Sequence, residues 1–170
     1  ADIARTVKDG YLYLTGAWHD GDVIDFDFPM PVHMAAANPL VREDAGKVAF
    51  VRGPLAYCAE GVDNGENLHL LHADTARIAA DPSCVSVDRI VFHAGAEAQD
   101  EQGLGEVDAV DMPMVTLTIP AWREIGEGTR TPALYHDWRP AERKATMATL
   151  IPYFAWANRG ENEMTVFLRG

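Results

Sequence analysis

The side chains that could do chemistry in this 170-residue sequence include two cysteines and six histidines. Cys58 and Cys84 stand outside any C-x-x-C pair, which favours two buried free thiols over a disulfide or a cysteine-rich zinc site. The residues around Cys58 carry no pattern typical of a thiolate nucleophile. His69 and His72 are three residues apart, a spacing that places them on opposite faces of a strand. Because we predict a strand there, we interpret them as unrelated polar residues rather than metal ligands.

Serine and carboxylate chemistry finds equally little support. Ser83 and Ser86 are the only serines, and neither lies in a G-x-S-x-G elbow, which argues against an esterase or acyl transferase. Glu124, Asp137 and Glu142 are only neighbours of aromatic residues along the chain, and their spacing does not define an acid/base pair. We therefore predict no catalytic residue, no metal ligand and no cofactor-binding residue in this chain.

Aromatic side chains leave one alternative open, because exposed rings can stack on the apolar faces of sugars. The candidates are Trp18, Trp122, Trp138, Tyr153 and Trp156. Packing is the default for such large residues in a small β domain. A carbohydrate-binding module with an oligosaccharide partner is thus the alternative hypothesis, and it requires an exposed, coplanar pair of rings.

Strands must position all of these residues, since alternation of apolar and polar residues dominates the sequence. In Asp22–Phe28 the apolar side chains share one face, which predicts a half-buried strand. Tyr11–Thr15 predicts another, and the turn residues 18–22 could join the two as a hairpin. Pro29-Met30-Pro31 then interrupts pairing, because proline lacks a ladder N–H. We place a domain boundary there, between residues 1–30 and 31–170.

The rest of the chain predicts further short strands separated by turns. They are expected at 32–36, 47–52, 55–58, 68–71, 85–93, 115–119, 149–157 and 164–169. Gly53-Pro54 predicts a bulge or an edge position, and Gly95–Asp111 an exposed loop. Ala141–Met147 is the best short helical candidate. The fold class predicted is all-β, an antiparallel β-sandwich or jelly roll.

Charge and hydropathy restrict the partners. The net charge of −12 disfavours DNA, RNA and anionic membrane surfaces, which need clustered Lys and Arg. No apolar run reaches the roughly 18–20 residues of a membrane span. The sequence begins without Met and without a signal-peptide pattern, so a cytoplasmic and a periplasmic or secreted location both stay open.

Two long motifs resemble a known family. Residues 46–60, GKVAFVRGPLAYCAE, continue to Asp63-Asn64 and resemble a segment of glycoside hydrolase family 127, the β-L-arabinofuranosidase family. Residues 150–160, LIPYFAWANRG, resemble its C-terminal signature. Residues 10–12, 21–23 and 29–30 are similar to the preceding region of that family. The resemblance therefore spans almost the whole chain.

The resemblance implies a bacterial-type parent with a helical barrel followed by two β-sandwich domains. This chain would hold the last strands of the first sandwich, residues 1–30, and all of the second. The family's zinc-bound cysteine nucleophile belongs to the barrel, so zinc is expected there and Cys58 is not that nucleophile. The chain itself is then expected to be a non-catalytic accessory domain that packs on its own catalytic domain or forms a homodimer.

A structural and interdomain role is expected for residues of these motifs. They are Arg52, Tyr57, Tyr153, Trp156, Asn158 and Arg159. The hypothesis predicts a bare apolar patch of several hundred Å² on the isolated domain. It also predicts that residues 1–30 expose an edge, since they lack the rest of their sheet.

Overall fold

A computed structural model describes residues 3–94, 110–125, 134–135 and 137–170. Within these ranges the chain is built mostly of strands. The strands are β1 Ala4–Lys8, β2 Tyr11–Thr15, β3 Val32–Ala35, β4 Lys47–Arg52, β5 Leu55–Glu60, β6 Leu71–Ala73, β7 Ser86–Ala94, β8 Val110–Ile125, β9 Glu142–Pro152, β10 Met164–Thr165 and β11 Leu168–Arg169. Two short α-helices, α1 Gly61–Asn64 and α2 Thr75–Ala80, and 3-10 turns at Arg42–Asp44, Leu68–Leu70, Pro82–Cys84 and Tyr153–Ala155 complete the described elements.

The all-β, sandwich-like fold is confirmed. One sheet contains nine strands in the order β10-β5-β9-β8-β6-β11-β4-β3, with β7 paired to β8. β4 also pairs with β5, so β4, β5, β9, β8, β6 and β11 form a closed ring of hydrogen-bonded neighbours. The pairings between the described strands are antiparallel except that of β6 with β11. Closure leaves these six strands with a partner on each side, which limits the exposed edges.

The core lies inside this ring. Phe50 on β4, Leu117 on β8 and Leu150 on β9 belong to the main buried cluster. A second cluster contains Ile151, whose side chain points to the opposite face of β9 from that of its neighbour Leu150. The central strands are therefore covered on both faces at this end of the sheet, as in the middle layer of a packed domain.

Gly53-Pro54 forms a hairpin turn rather than the predicted bulge or edge position. β4 and β5 pair antiparallel on either side of it, with Arg52 opposite Leu55. Gly53 has a φ of +56°, a conformation that suits the first position of a tight two-residue turn. The sequence pattern of one interrupted strand is equally compatible with two strands that fold back on each other, which explains the error.

The N-terminal region differs from the prediction. β2 pairs with β1 through the Asp9-Gly10 turn, not with residues 22–28. The predicted strand Asp22–Phe28 is irregular, and its side chains are exposed. Alternation predicts a strand only where a neighbouring strand supplies hydrogen bonds, and no described strand pairs with these residues.

Other predicted elements differ from the structure as well: the predicted strand 164–169 is two short strands, β10 and β11, and the one predicted at 115–119 extends over 110–125. Residues 68–70 form a 3-10 turn and the strand begins at Leu71; β9 ends at Pro152, before a 3-10 turn. The predicted helix at 141–147 lies within β9, because long-range pairing with β8 overrides a short local preference. Of the predicted loop 95–111, residues 95–109 lie outside the described residues and 110–111 already belong to β8. No helix in the described ranges is long and apolar enough to cross a membrane.

Candidate interdomain surface

The two sequence motifs meet at the end of β5. Glu60, only 1% exposed, ends this strand, and Arg159 lies in the loop after β9. Arg159 Nε donates to Glu60 Oε2 at 3.0 Å, and its Nη2 contacts the same oxygen. Glu60 Oε1 accepts the backbone N–H of Ala157 at 3.0 Å. Both oxygens of the buried carboxylate are therefore used to hold the loop against the sheet.

A second carboxylate completes this ion-pair cluster. Arg159 Nη1 donates to Asp63 Oδ1 at 2.8 Å. Burial alone would lower the pKa of Arg159, but its hydrogen bonds to Asp63 and Glu60 outweigh burial and raise that pKa. The guanidinium is therefore always charged. Because removal of one partner would leave a buried charge uncompensated, Glu60 and Arg159 must act as a unit.

Asn64 makes a second link between β5 and β9. Its Nδ2 donates to the carbonyls of Glu60 at 2.9 Å and Thr149 at 2.8 Å, while its Oδ1 accepts the Thr149 N–H at 2.9 Å. Arg123 then donates to the carbonyl of Asn64 at 2.6 Å and to those of Glu66 and Asn67. These contacts satisfy the backbone of the turn after α1, so this part of the motif fixes the fold.

The thiol of Cys58 and the imidazoles of His69 and His72 lie on different elements of the fold. Burial, together with the nearby Glu60, raises the pKa of Cys58 to about 12, so the group stays a thiol. His69 lies on a 3-10 turn and His72 on β6. Among the described residues, no three His, Cys, Asp or Glu side chains come together as metal ligands. The residues described do not fit a zinc centre.

Three aromatic side chains lie on the surface just after β9. Tyr153, Phe154 and Trp156 are all exposed, Phe154 by 54%, whereas Ala155 of the same turn is buried in the second core cluster. The rings of Tyr153 and Trp156 are 6.2 Å apart and tilted by 34°. The turn is thus anchored by its small residue and presents its large ones to the outside.

Beside this turn lies an apolar depression of about 320 Å³, which we call the Phe154 groove. It is lined by Met30, Arg52, Leu55, Tyr57, Arg89, Ile90, Pro113, Met114, Val115, Pro152 and Phe154. Met30 bridges the two sequence regions, since Arg52 Nη1 contacts its sulfur at 3.7 Å. Tyr57 is fully buried and its hydroxyl has no hydrogen-bond partner among the described residues. Burial raises the Tyr57 pKa, and the charge of Arg52 only partly opposes this.

The structure separates the six predicted interdomain residues into two groups. Arg52 and Tyr57 line the Phe154 groove, and Tyr153 and Trp156 are exposed at the turn that carries Phe154, whereas Asn158 and Arg159 make hydrogen bonds within their own domain. Asn158 donates to the carbonyls of Ala155 and Trp156. Sequence reasoning missed the structural roles of Glu60, Asp63 and Asn64 and the exposure of Phe154, although all four lie within the two motifs. Whether these residues contact another domain stays a prediction.

The sugar-binding alternative gains no support. One face of the Trp122 ring stacks on His72 with centroids 3.6 Å apart, and Arg143 lies 3.8 Å from the Trp122 centroid. Tyr153 and Trp156 are exposed but tilted. Neither arrangement supplies the open coplanar platform that sugar stacking requires.

Comparison with known proteins places this geometry in context. Residues 32–169 match the model of the glycoside hydrolase family 127 C-terminal domain. A non-reducing end β-L-arabinofuranosidase of Bifidobacterium longum subsp. longum is 35% identical over 164 residues, which cover 96% of this chain and 22% of that protein. The chain thus spans about a fifth of the length of this curated relative.

Solved structures of family 127 proteins also resemble this chain. A family 127 β-L-arabinofuranosidase from Geobacillus stearothermophilus has 35% identity and a TM-score of 0.58 over 84% of this chain and 18% of its own. A further family 127 β-arabinofuranosidase has 29% identity and a TM-score of 0.60 over 98% of this chain and 21% of its own. In both cases the sequence identity and the TM-score together exceed what two unrelated β-rich folds share by chance.

Proposed function

The chain belongs to glycoside hydrolase family 127, whose C-terminal domain matches residues 32–169, and on this basis we propose that it is the non-catalytic accessory part of a longer hydrolase. In this proposal the domain packs on the catalytic domain of its own chain. The Phe154 groove and the face formed by residues 3–30 provide the contact. Residues 1–30 would complete a preceding sandwich, and 31–170 would form the terminal one.

The observation that carries the proposal is the bare apolar surface around the Phe154 groove. Phe154 and Ile90 on β7 line it with exposed apolar side chains, and Tyr153 and Trp156 are exposed at the turn that carries Phe154. Stable monomers seldom leave contiguous apolar surface of this kind uncovered, so it marks a contact site. Aromatic residues are also enriched at the buried centres of protein interfaces.

The N-terminal residues support the same interpretation. No residue from 3 to 31 is buried, although Tyr11, Leu12, Phe26 and Phe28 are large and apolar. An isolated two-stranded hairpin is marginally stable at best in water. Cover for β1 and β2 would come from the remainder of a chain of which this sequence, judged by its curated relative, spans 22%.

We further propose that the longer protein cleaves β-L-arabinofuranosides, the substrates that the names of its relatives imply. In this proposal the residues that carry out the reaction lie in the catalytic domain, outside this chain. Its contribution would therefore be to hold the catalytic domain in its folded, soluble form. The assignment predicts hydrolysis of an aryl β-L-arabinofuranoside by the full-length protein and no turnover by the 170-residue chain.

Substitution of Phe154 in the full-length protein tests the contact. Phe154→Asp should weaken packing between domains, seen as faster limited proteolysis at the domain junction and a lower soluble yield. Met147→Asp is the matched control, because Met147 on β9 is 50% exposed and lies outside the groove. The control should behave as wild type.

Size-exclusion chromatography with light scattering distinguishes packing on the catalytic domain from packing on a second copy of the protein. If the wild-type protein is a dimer, and Phe154→Asp is a monomer with an unchanged rate of proteolysis, the groove binds a second copy. That result would contradict packing on the catalytic domain. Equal behaviour of both variants and wild type would remove the groove from any interface.

A further inference from the structure

A second depression lies between β4, β6, β10 and β11. Its volume is about 430 Å³, within the range of small-molecule sites. It is lined by Lys47, Leu68, His69, Leu71, Glu163, Met164, Thr165, Phe167 and Arg169. None of these residues lines the Phe154 groove. We call this depression the Lys47 pocket.

Two cations face each other across its wall. Lys47 on β4 is directly opposite Arg169 on β11 in the antiparallel ladder. Like charges in this position destabilise a sheet, because the side chains of directly opposed residues lie on the same face. Neither cation makes a salt bridge with a carboxylate of the described residues. In a chain with 26 acidic and 14 basic residues, such a pair stands out as a local concentration of positive charge.

The pocket carboxylate does not neutralise this pair. Glu163 Oε2 accepts the backbone N–H of Leu68 at 2.7 Å. That hydrogen bond, with help from Asn67, lowers the pKa of Glu163. The carboxylate of Glu163 therefore binds the 3-10 turn that carries His69, and this contact holds that wall of the pocket in place. Among the described residues, no carboxylate forms a salt bridge with the side chain of Lys47 or Arg169, so these donors can serve a ligand.

The remaining walls are apolar. Leu68 and Leu71 are buried core residues whose surfaces reach the pocket, and Met164 and Phe167 are half-buried beside them. A guanidinium and an ammonium group above an apolar floor suit a carboxylate attached to an apolar body, because Arg pairs well with the planar carboxylate.

We propose that the Lys47 pocket binds a small organic acid, with its carboxylate between Lys47 and Arg169 and its apolar part against Leu68, Met164 and Phe167. The site is separate from the interdomain contact and from the hydrolase assignment. The proposal is one of binding without reaction.

Titration of the 170-residue protein with benzoate, followed by backbone amide NMR shifts, tests the site. Saturable shifts should centre on Lys47, His69 and Arg169, with a dissociation constant on the order of 1–10 mM for so small a ligand. Benzamide, the neutral analogue, should give no saturable shift. Acetate should bind more weakly than benzoate, because it lacks the apolar body.

Variants locate the charge. Lys47→Met with Arg169→Gln should weaken benzoate binding at least about tenfold, the loss expected for a charged hydrogen bond. The double variant should fold as well as wild type or better, since it removes a like-charge pair. Lys144→Met on β9, outside the pocket, is the matched control and should bind as wild type.

Three results would overturn the proposal. They are equal shifts with benzoate and benzamide, unchanged affinity in the folded double variant, and no saturable shift up to about 50 mM benzoate, beyond the weakest affinity expected.

Discussion

Residues 3–31 and residues 32–169 use similar side chains with opposite results. The first region contains Tyr11, Phe26 and Phe28, yet every residue in it is exposed or half-buried. The second buries Phe50, Leu117 and Leu150 in one cluster inside the closed ring of strands. An apolar pattern therefore produces a core only where the topology brings a second apolar face to it.

The difference is also seen in the polar contacts. β1 and β2 are joined by their own ladder, whereas the region after residue 31 is tied together across about 100 residues of sequence by Glu60 and Arg159. Contacts of long sequence separation make the terminal domain cooperative. The N-terminal hairpin has a local ladder and little else to stabilise it.

Matched phenylalanine substitutions give the largest contrast between the two regions. Phe50→Ala should lower the free energy of unfolding by about 3–5 kcal/mol, because it leaves a cavity in the core. Phe26→Ala should change it by less than about 0.5 kcal/mol, since Phe26 is 58% exposed. Urea unfolding of the 170-residue chain measures both. Comparable losses would show that residues 3–31 are packed after all.

Arg159→Ala should lower the free energy of unfolding by about 3 kcal/mol or more, because it leaves the buried Glu60 carboxylate without its charged partner. Arg159→Lys should recover only part of this loss. It restores the positive charge, but one ammonium group cannot reproduce the guanidinium geometry that binds both Glu60 and Asp63. Arg5→Ala on the exposed β1 is the control and should be near neutral. A loss below about 1 kcal/mol for Arg159→Ala would mean that water replaces the guanidinium at Glu60.

Asn64→Ala should destabilise the domain by about 1–3 kcal/mol. The change removes three hydrogen bonds and leaves the backbone N–H and carbonyl of Thr149 without their side-chain partners. Thermal unfolding and amide exchange at Thr149 are the measurements. Unchanged protection of that amide would contradict the role assigned to Asn64.

The smallest effect concerns pH. Burial and the neighbouring Arg169 lower the pKa of His72 from its usual 6.5, and Glu124 opposes this only partly. The unfolded chain therefore binds the proton first, so stability should fall as pH drops through the range below about 6.5, by at most about 1.4 kcal/mol per pH unit. His72→Gln should remove this slope. The loss from Glu163, whose pKa is lowered from 4.5, begins at lower pH.

The charged groups around His72 come from three strands. They are Glu124 on β8, Arg143 on β9 and Arg169 on β11. An unchanged pH slope in His72→Gln would mean that His72 does not cause the acid sensitivity.

Much of the fold followed from the sequence, and the exceptions have specific causes. Alternation correctly predicted most strands of residues 32–169, because each of them meets a neighbour. It failed at 22–28, where no strand pairs, and at 141–147, where pairing with β8 overrides a short helical pattern. Gly53-Pro54 was correctly singled out, but its chain reversal depends on contacts that local chemistry does not specify.

The candidate site was predictable only in outline. The motifs contain every residue of the ion-pair cluster, yet which of them face inward is a matter of three-dimensional packing. Trp156 and Arg159 are three residues apart, and one is on the surface while the other pairs with the buried Glu60. The Lys47 pocket was invisible in the sequence, because its cations are more than 120 positions apart and meet only through the pairing of β11 with β4.

The ring of strands has a consequence for the order of folding. Its two closing pairings, to β4 and to β6, are both made by β11, at residues 168–169. During synthesis the ring must therefore remain open until nearly the entire 170-residue sequence has left the ribosome, whereas the β1–β2 hairpin can form early. Until that moment the future core has a gap along one side, where β4 and β6 each lack their pairing with β11.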